Sequence, residues 1–181
     1  MSKKFKLNDM IYSSIFAALI SVLGYVVIPL PFSPVLITGQ TLGIMLAGQV
    51  LGPLQAFVSV FIFILLGVAG VPVFSGGRAG IEVLAGTSGG YILGFLVGAV
   101  IISLLCKKTN NLWRLGGAAI IGGIIVVYLF GVTWLSFVTG MGVEKAFVGG
   151  ALPFIPGDIL KVVASTLLAK RLKPHLKVGR I

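Results

Sequence analysis

Apolar residues run along this chain in long blocks, separated by short polar or glycine- and proline-containing segments. The first block covers residues 10–30. The second and third cover 37–51 and 54–71 and are divided by Gly52-Pro53, a strong turn signal. The fourth covers 90–105, the fifth 115–138 and the sixth 152–168. About 20 apolar residues cross a bilayer, so the pattern predicts an all-α integral membrane protein. Its six transmembrane helices form a single domain over residues 1–181. Lys3, Lys4 and Lys6 precede the first block as they would in a signal peptide. The block is longer than a signal core and no A-x-A site follows, so it reads as a retained first helix. Two connections differ from ordinary turns. Pro29, Pro31 and Pro34 predict a rigid, extended loop. Residues 72–89, PVFSGGRAGIEVLAGTSG, form a long glycine-rich connection, and connections of that length commonly carry function.

Composition agrees with this pattern. Hydrophobic residues make up 57% of the chain and charged residues 10%, against roughly 25% charged in an ordinary soluble domain. The single Cys106 excludes an internal disulfide. The net charge of +10 would suggest nucleic acid in a soluble protein, but its placement points elsewhere. Lys3, Lys4 and Lys6, then Lys107, Lys108 and Arg114, then Lys170, Arg171, Lys173, Lys177 and Arg180 all fall on one face of a six-span topology. They are eleven of the fourteen basic residues. This is the positive-inside pattern, which predicts cytoplasmic N- and C-termini and removes the need for a nucleic-acid partner. The proline-rich loop, the glycine-rich loop and the start of the sixth span then share the opposite, outer face.

The candidate chemistry centres on Asp158 and Lys161, one helical turn apart in Pro156-Gly157-Asp158-Ile159-Leu160-Lys161. A charge in the bilayer interior costs about 2.5–3.5 kcal/mol even on the lenient insertion scale, so such residues are functional candidates by default. Phe154, Asp158, Lys161 and Ser165 share one helical face. A local reading stands beside this one, because Asp158 near a helix start suits the dipole and pairs with Lys161. Arg78 follows Gly76-Gly77, a sequence able to form an anion-binding nest. The alternative is a solvated Arg78 paired to Glu82. Gln40 and Thr41 open the second span, and Gln49 lies deeper, suited to a neighbouring helix or a ligand. Ser13, Ala17 and Ser21 form one small-residue stripe on the first span, and Ser14 with Ala18 forms another. Such stripes let helices approach closely. Trp113, Trp134 and most tyrosines suit interface anchors. Catalytic machinery is sparse: the one histidine, His175, lies in the tail, and neither H-E-x-x-H nor a nucleotide-binding glycine motif occurs. No metal site and no cofactor are called for, and the chain is not expected to be an enzyme.

Three segments in order carry a resemblance that covers nearly the whole chain. They are Ile28-Pro29-Leu30-Pro31-Phe32-Ser33-Pro34 with Ile37-Thr38-Gly39-Gln40-Thr41, then Gly70 to Gly77 with Gly86-Thr87-Ser88-Gly89-Gly90-Tyr91, and Pro153-Phe154-Ile155-Pro156-Gly157-Asp158-Ile159-Leu160-Lys161. Together they resemble the BioY family, the biotin-specific substrate-binding subunits (S components) of energy-coupling-factor (ECF) transporters. The chain departs from the family where Thr87-Ser88 replaces the usual Pro-Thr, where Gly39 replaces a common leucine, and where serine replaces alanine on the first span. The resemblance implies a six-helix S-component bundle in a prokaryotic plasma membrane that captures biotin from outside. It implies partners as well: a transmembrane coupling protein docked on the span-one stripe (Ser13, Ser14, Ala17, Ala18, Ser21) and two cytoplasmic ATPases. On this reading Asp158 accepts from the ureido N–H groups, and Lys161 bonds the ureido oxygen or the carboxylate. Gln40 and Tyr91 add polar or stacking contacts. Phe74, Gly76 and Gly77 close over the valeryl tail, with Arg78 as a carboxylate partner. The rival expectations are an S component for thiamine or riboflavin, and an integral membrane enzyme.

Overall fold

The computed structural model describes residues 7–31, 33–107 and 109–176. The basic residues Lys3, Lys4, Lys6, Lys108, Lys177 and Arg180, and Phe32 of the first loop, lie outside the described residues. Helix α1 spans Leu7–Leu23, α2 Gln40–Val50, α3 Pro53–Val68, α4 Ile81–Ala85 and α5 Gly89–Leu105. Helix α6 (Leu112–Ile120), a π-helical segment (Ile121–Val126) and α7 (Val127–Thr139) make one stretch of 28 residues. Helix α8 (Val143–Gly150), a 3₁₀ turn (Leu152–Phe154) and α9 (Ile155–Leu172) make another of 30. Both stretches are long and apolar enough to cross a membrane, and α1, α3 and α5 are shorter apolar helices. Leu129, Phe137 and Leu160 are largely exposed. Apolar surface on this scale is a liability in water and the normal outer face in lipid, so the bilayer is the solvent this fold is built for.

The expectation of an all-α chain needs one correction. Helix α1 stops at Leu23 instead of running to residue 30, and Val27–Ile28 (β1) pairs antiparallel with Ile37–Thr38 (β2). A helix through Pro29 would lose a hydrogen bond and clash with the carbonyl four residues back. The chain turns at Gly24, where a Cβ would lie 2.9 Å from both Gln40 Nε2 and the Val73 carbonyl oxygen. The glycine-rich connection is likewise ordered: Phe74 and Arg78 form a β-bridge, and α4 follows.

Helix α2 sits inside the bundle, with every residue from Gly43 to Val50 buried. At 11 residues it extends roughly 16 Å. Gln49 Nε2 donates to the Leu115 carbonyl and to Thr166 Oγ1, both at 3.0 Å, so this amide ties α2 to α6 and α9. Helix α5 packs closely on the π segment, where a Cβ on Gly98 would lie 2.3 Å from the Gly122 carbonyl oxygen. Beyond α9, Lys173 Nζ donates to the carbonyls of Cys106 (2.7 Å) and Thr109 (2.8 Å), which pins the end of α9 to the end of α5. Burial lowers the pKa of its ammonium.

The span-one stripes separate cleanly. Ser13, Ala17 and Ser21 are buried within the chain, and Ser13 Oγ donates to the Gln55 carbonyl on α3. These three are therefore not open to another protein in this conformation, because α3 already fills the groove that small residues leave. Ser14 and Ala18 lie on the exposed side of α1.

Candidate ligand-binding site

A cavity opens between the ends of α2, α5, α7 and α9, under both irregular loops. Its walls include Val35 and Leu36 from the proline-rich loop, Ser75 and Ser88 from the glycine-rich segment, Tyr91 and Phe95 from α5, and Phe154 ahead of α9. About 480 Å³ there is not occupied by atoms, part of it open to the outside. The loops are fastened to each other, since Thr87 Oγ1 donates to the Pro34 carbonyl at 3.3 Å.

Asp158 and Lys161 form the polar floor. Lys161 Nζ donates to Asp158 Oδ1 at 2.7 Å, and the carboxylate is almost fully buried. The helix-local pair thus exists, but it is only part of the cluster. Thr41 Oγ1, from α2, donates to Asp158 Oδ1 at 3.1 Å and accepts from Lys161 Nζ at 2.9 Å. The Tyr128 hydroxyl, from α7, donates to Asp158 Oδ2. Three helices therefore converge on one carboxylate. Asp158 makes no capping bond at the start of α9; it faces sideways into the cavity. A carboxylate accepts about four hydrogen bonds and an ammonium donates three. Two of the three Lys161 N–H bonds are used inside the cluster, which leaves one donor for an acceptor in the cavity.

The expected site residues divide into two groups. Asp158, Lys161 and Tyr91 line the cavity. Tyr91 presents its ring as a wall, because its hydroxyl donates to the Gly150 carbonyl at 2.7 Å. Gln40 is not at the surface. Its Oε1 accepts from Thr38 Oγ1 and Ser75 Oγ, and its Nε2 donates to the Val73 carbonyl, so it holds the two loops from behind. Phe74 is fully buried with its ring edge-on to Phe63 and lies behind the wall. Gly76 and Gly77 both have positive φ and do form a tight turn. Their N–H groups are spent on the carbonyls of Gly24 and Phe74, so the anion nest suggested by their sequence is not open. Arg78 turns to the Ser75 carbonyl (3.1 Å) and Ser88 Oγ (3.0 Å) rather than to Glu82, and so sits behind two rim residues.

Sequence reasoning missed Tyr128, which it grouped with the interface tyrosines. The available signal was position: Tyr128 lies in the interior of a long apolar stretch, not at an end where belt residues sit. Replacing Tyr128 with phenylalanine leaves a buried carboxylate oxygen without its donor. We expect a loss of about 1.5–3 kcal/mol, checked by thermal unfolding of detergent-purified protein.

Comparison with known proteins gives a consistent answer. The BioY family model matches residues 1–178. A biotin transporter BioY of Rhizobium etli is 42% identical over 172 residues, covering 90% of this chain and 91% of that protein. A second, from Thermotoga maritima, is 38% identical over 175 residues and covers 96% of this chain and 100% of that protein. Among solved structures, the S-component for biotin from an ECF-type ABC transporter superposes with a TM-score of 0.88. It is 33% identical, covering 96% of this chain and 95% of that one. The matched region contains the loop pair, the Asp158–Lys161 floor and the helices that bring them together, and by these matches the chain belongs to the BioY family.

Proposed function

We propose that this protein captures biotin on the outer side of a prokaryotic plasma membrane and delivers it as the substrate-specific subunit of an ECF-type transporter. In this reading six spans cross the membrane with both termini cytoplasmic, and the bundle is one domain. A transmembrane coupling protein and two cytoplasmic ATPases supply the energy, so this chain carries transport and not catalysis. Ser14 and Ala18, exposed on α1, are the residues of the two stripes placed to meet the coupling protein.

The observation that carries the reading is the buried Asp158–Lys161–Thr41–Tyr128 cluster under an otherwise largely apolar cavity. Biotin has ureido N–H donors, a ureido oxygen, an apolar thioether ring and a carboxylate. Asp158 accepts from a ureido N–H, and the remaining Lys161 donor meets an acceptor oxygen. Tyr91 and Phe95 flank the ring system. Gln40, Phe74, Gly76 and Gly77 shape the loops that cover it. Arg78, hydrogen-bonded to Ser75 and Ser88 on the rim, is a further cation for the carboxylate as the rim adjusts.

Calorimetry on the purified protein with biotin, thiamine and riboflavin tests this. Biotin is expected to bind tightly and the other two not at all. Tight thiamine or riboflavin binding overturns the substrate assignment. Turnover of a lipid or peptide by the isolated protein, with no coupling module copurifying from its own cells, overturns the transport role.

A further inference from the structure

A second concavity, lined by different residues from the ligand cavity, lies on the outside of the bundle between α6 and α9. About 1070 Å³ there is not occupied by atoms, part of it open to the outside, and its walls include Trp113, Gly116 and Gly117 on one side and Ile159, Val163 and Leu167 on the other. Thr166, also in the lining, accepts from Gln49 Nε2, and the rest of the lining is apolar. Gly116 and Gly117, like Gly149 and Gly157 elsewhere in the fold, are helical glycines beside open space, and they alone of these four line the groove. A Cβ on Gly117 would meet nothing within 4 Å, and one on Gly116 would meet only Thr166 Oγ1 at 3.9 Å. At Gly48 and Gly98 a Cβ would lie 2.7 and 2.3 Å from its neighbour. Glycine destabilises a helix interior, and at 116 and 117 no contact within the chain requires it. What the pair does is keep the groove open.

Charge at one end identifies the occupant. Lys170 continues the α9 groove face one turn past Thr166, and Arg171 follows Leu167 by four residues; both are exposed. Asn110, just before α6, donates to the Lys170 carbonyl at 3.5 Å, so the start of α6 and these cations lie together. That α6 end also offers the positive pole of a helix dipole. Trp113, 89% exposed, stands at the same end, as an interfacial tryptophan does. The wall of α6 from Leu112 to Ile120 rises about 12 Å. One leaflet of a roughly 30 Å hydrocarbon core is of similar depth.

We propose that this groove holds one acyl chain of an anionic phospholipid, its phosphate seated against Lys170, Arg171 and the start of α6. On the topology proposed above this end of the groove lies in the cytoplasmic leaflet; the site itself does not rest on that topology.

The test uses delipidated full-length protein, titrated with brominated dioleoyl phosphatidylglycerol or the phosphatidylcholine of the same chains. Bound chain is read by tryptophan quenching, with Trp113→Phe defining the share of Trp113, and by native mass spectrometry. Phosphatidylglycerol is expected to bind more tightly, by about fivefold for each of the two cations. Lys170→Gln with Arg171→Gln removes that preference, and Gly117→Leu, which fills the groove, lowers binding of both lipids. Biotin binding is unchanged in all of these, so failure here leaves the proposed function standing. Equal lipid binding by wild type and Gly117→Leu overturns the proposal. So does a shift from dimer to monomer in Gly117→Leu with lipid binding unchanged, which assigns the groove to a second copy. If Gly117→Leu does not fold, the two charge substitutions decide alone: an unchanged lipid preference overturns the site.

Discussion

Lys161→Met is expected to cost about 3–5 kcal/mol of folding stability and to abolish measurable biotin binding. The Asp158 side chain is 3% exposed and that of Lys161 17%. Removing the ammonium strands a carboxylate that Thr41 and Tyr128 alone must satisfy. The double substitution Asp158→Leu with Lys161→Met behaves differently, because a buried ion pair replaced by apolar groups is often neutral or stabilising. It is expected to recover most of the lost stability and none of the binding. Thermal unfolding and calorimetry on the same preparations separate the two. If the double variant binds biotin like wild type, the pair is a structural helix-start device and the proposed floor is wrong.

Gly98→Leu is expected to destabilise the protein by about 3 kcal/mol or more, at the upper end of overpacking effects. The first atom of the new side chain would lie 2.3 Å from the Gly122 carbonyl oxygen, which is backbone and cannot rotate away. Gly122 belongs to the π segment that ends one residue before α7 begins. Such a segment resets the phase of the helix that follows, and Tyr128, the second residue of α7, reaches Asp158 from that phase. Gly98→Leu is therefore expected to weaken biotin binding in whatever fraction still folds, although residue 98 does not touch the cavity. Gly117→Ala is the control. Its Cβ meets nothing, so it is expected to fold normally and to unfold at an equal or slightly higher temperature.

The parts of the site that could be read from sequence are those set by local geometry. Asp158 and Lys161 are three apart on one helix, and α-helical periodicity alone puts them side by side. Pro29, Pro31 and Pro34 lie between helices by their own covalent limits, and Gly52-Pro53 divides α2 from α3. The parts that could not be read are those set by distant partners. Thr41 and Asp158 are 117 residues apart, and Tyr128 and Asp158 are 30 apart on different helices. The glycine nest failed for the same reason, since the N–H of Gly76 is taken by the Gly24 carbonyl, far back in the chain. Gln40 has the right chemistry for a ligand, but Val73 and Ser75 had claimed it. The stripe of Ser13, Ala17 and Ser21 has the right shape for a partner, yet α3 of the same chain lies against it.

By itself, then, the sequence determined the solvent, the apolar blocks, the charge asymmetry and the helical-turn pair, because each depends only on composition or on spacing within one element. The tertiary structure alone decided which hydroxyls complete the carboxylate's shell, which loop residues face the cavity and which stand behind it. It also decided which glycines close an interface and which leave a groove open. Those outcomes depend on where helices far apart in sequence cross, and a crossing is a property of packed surfaces that no single segment encodes.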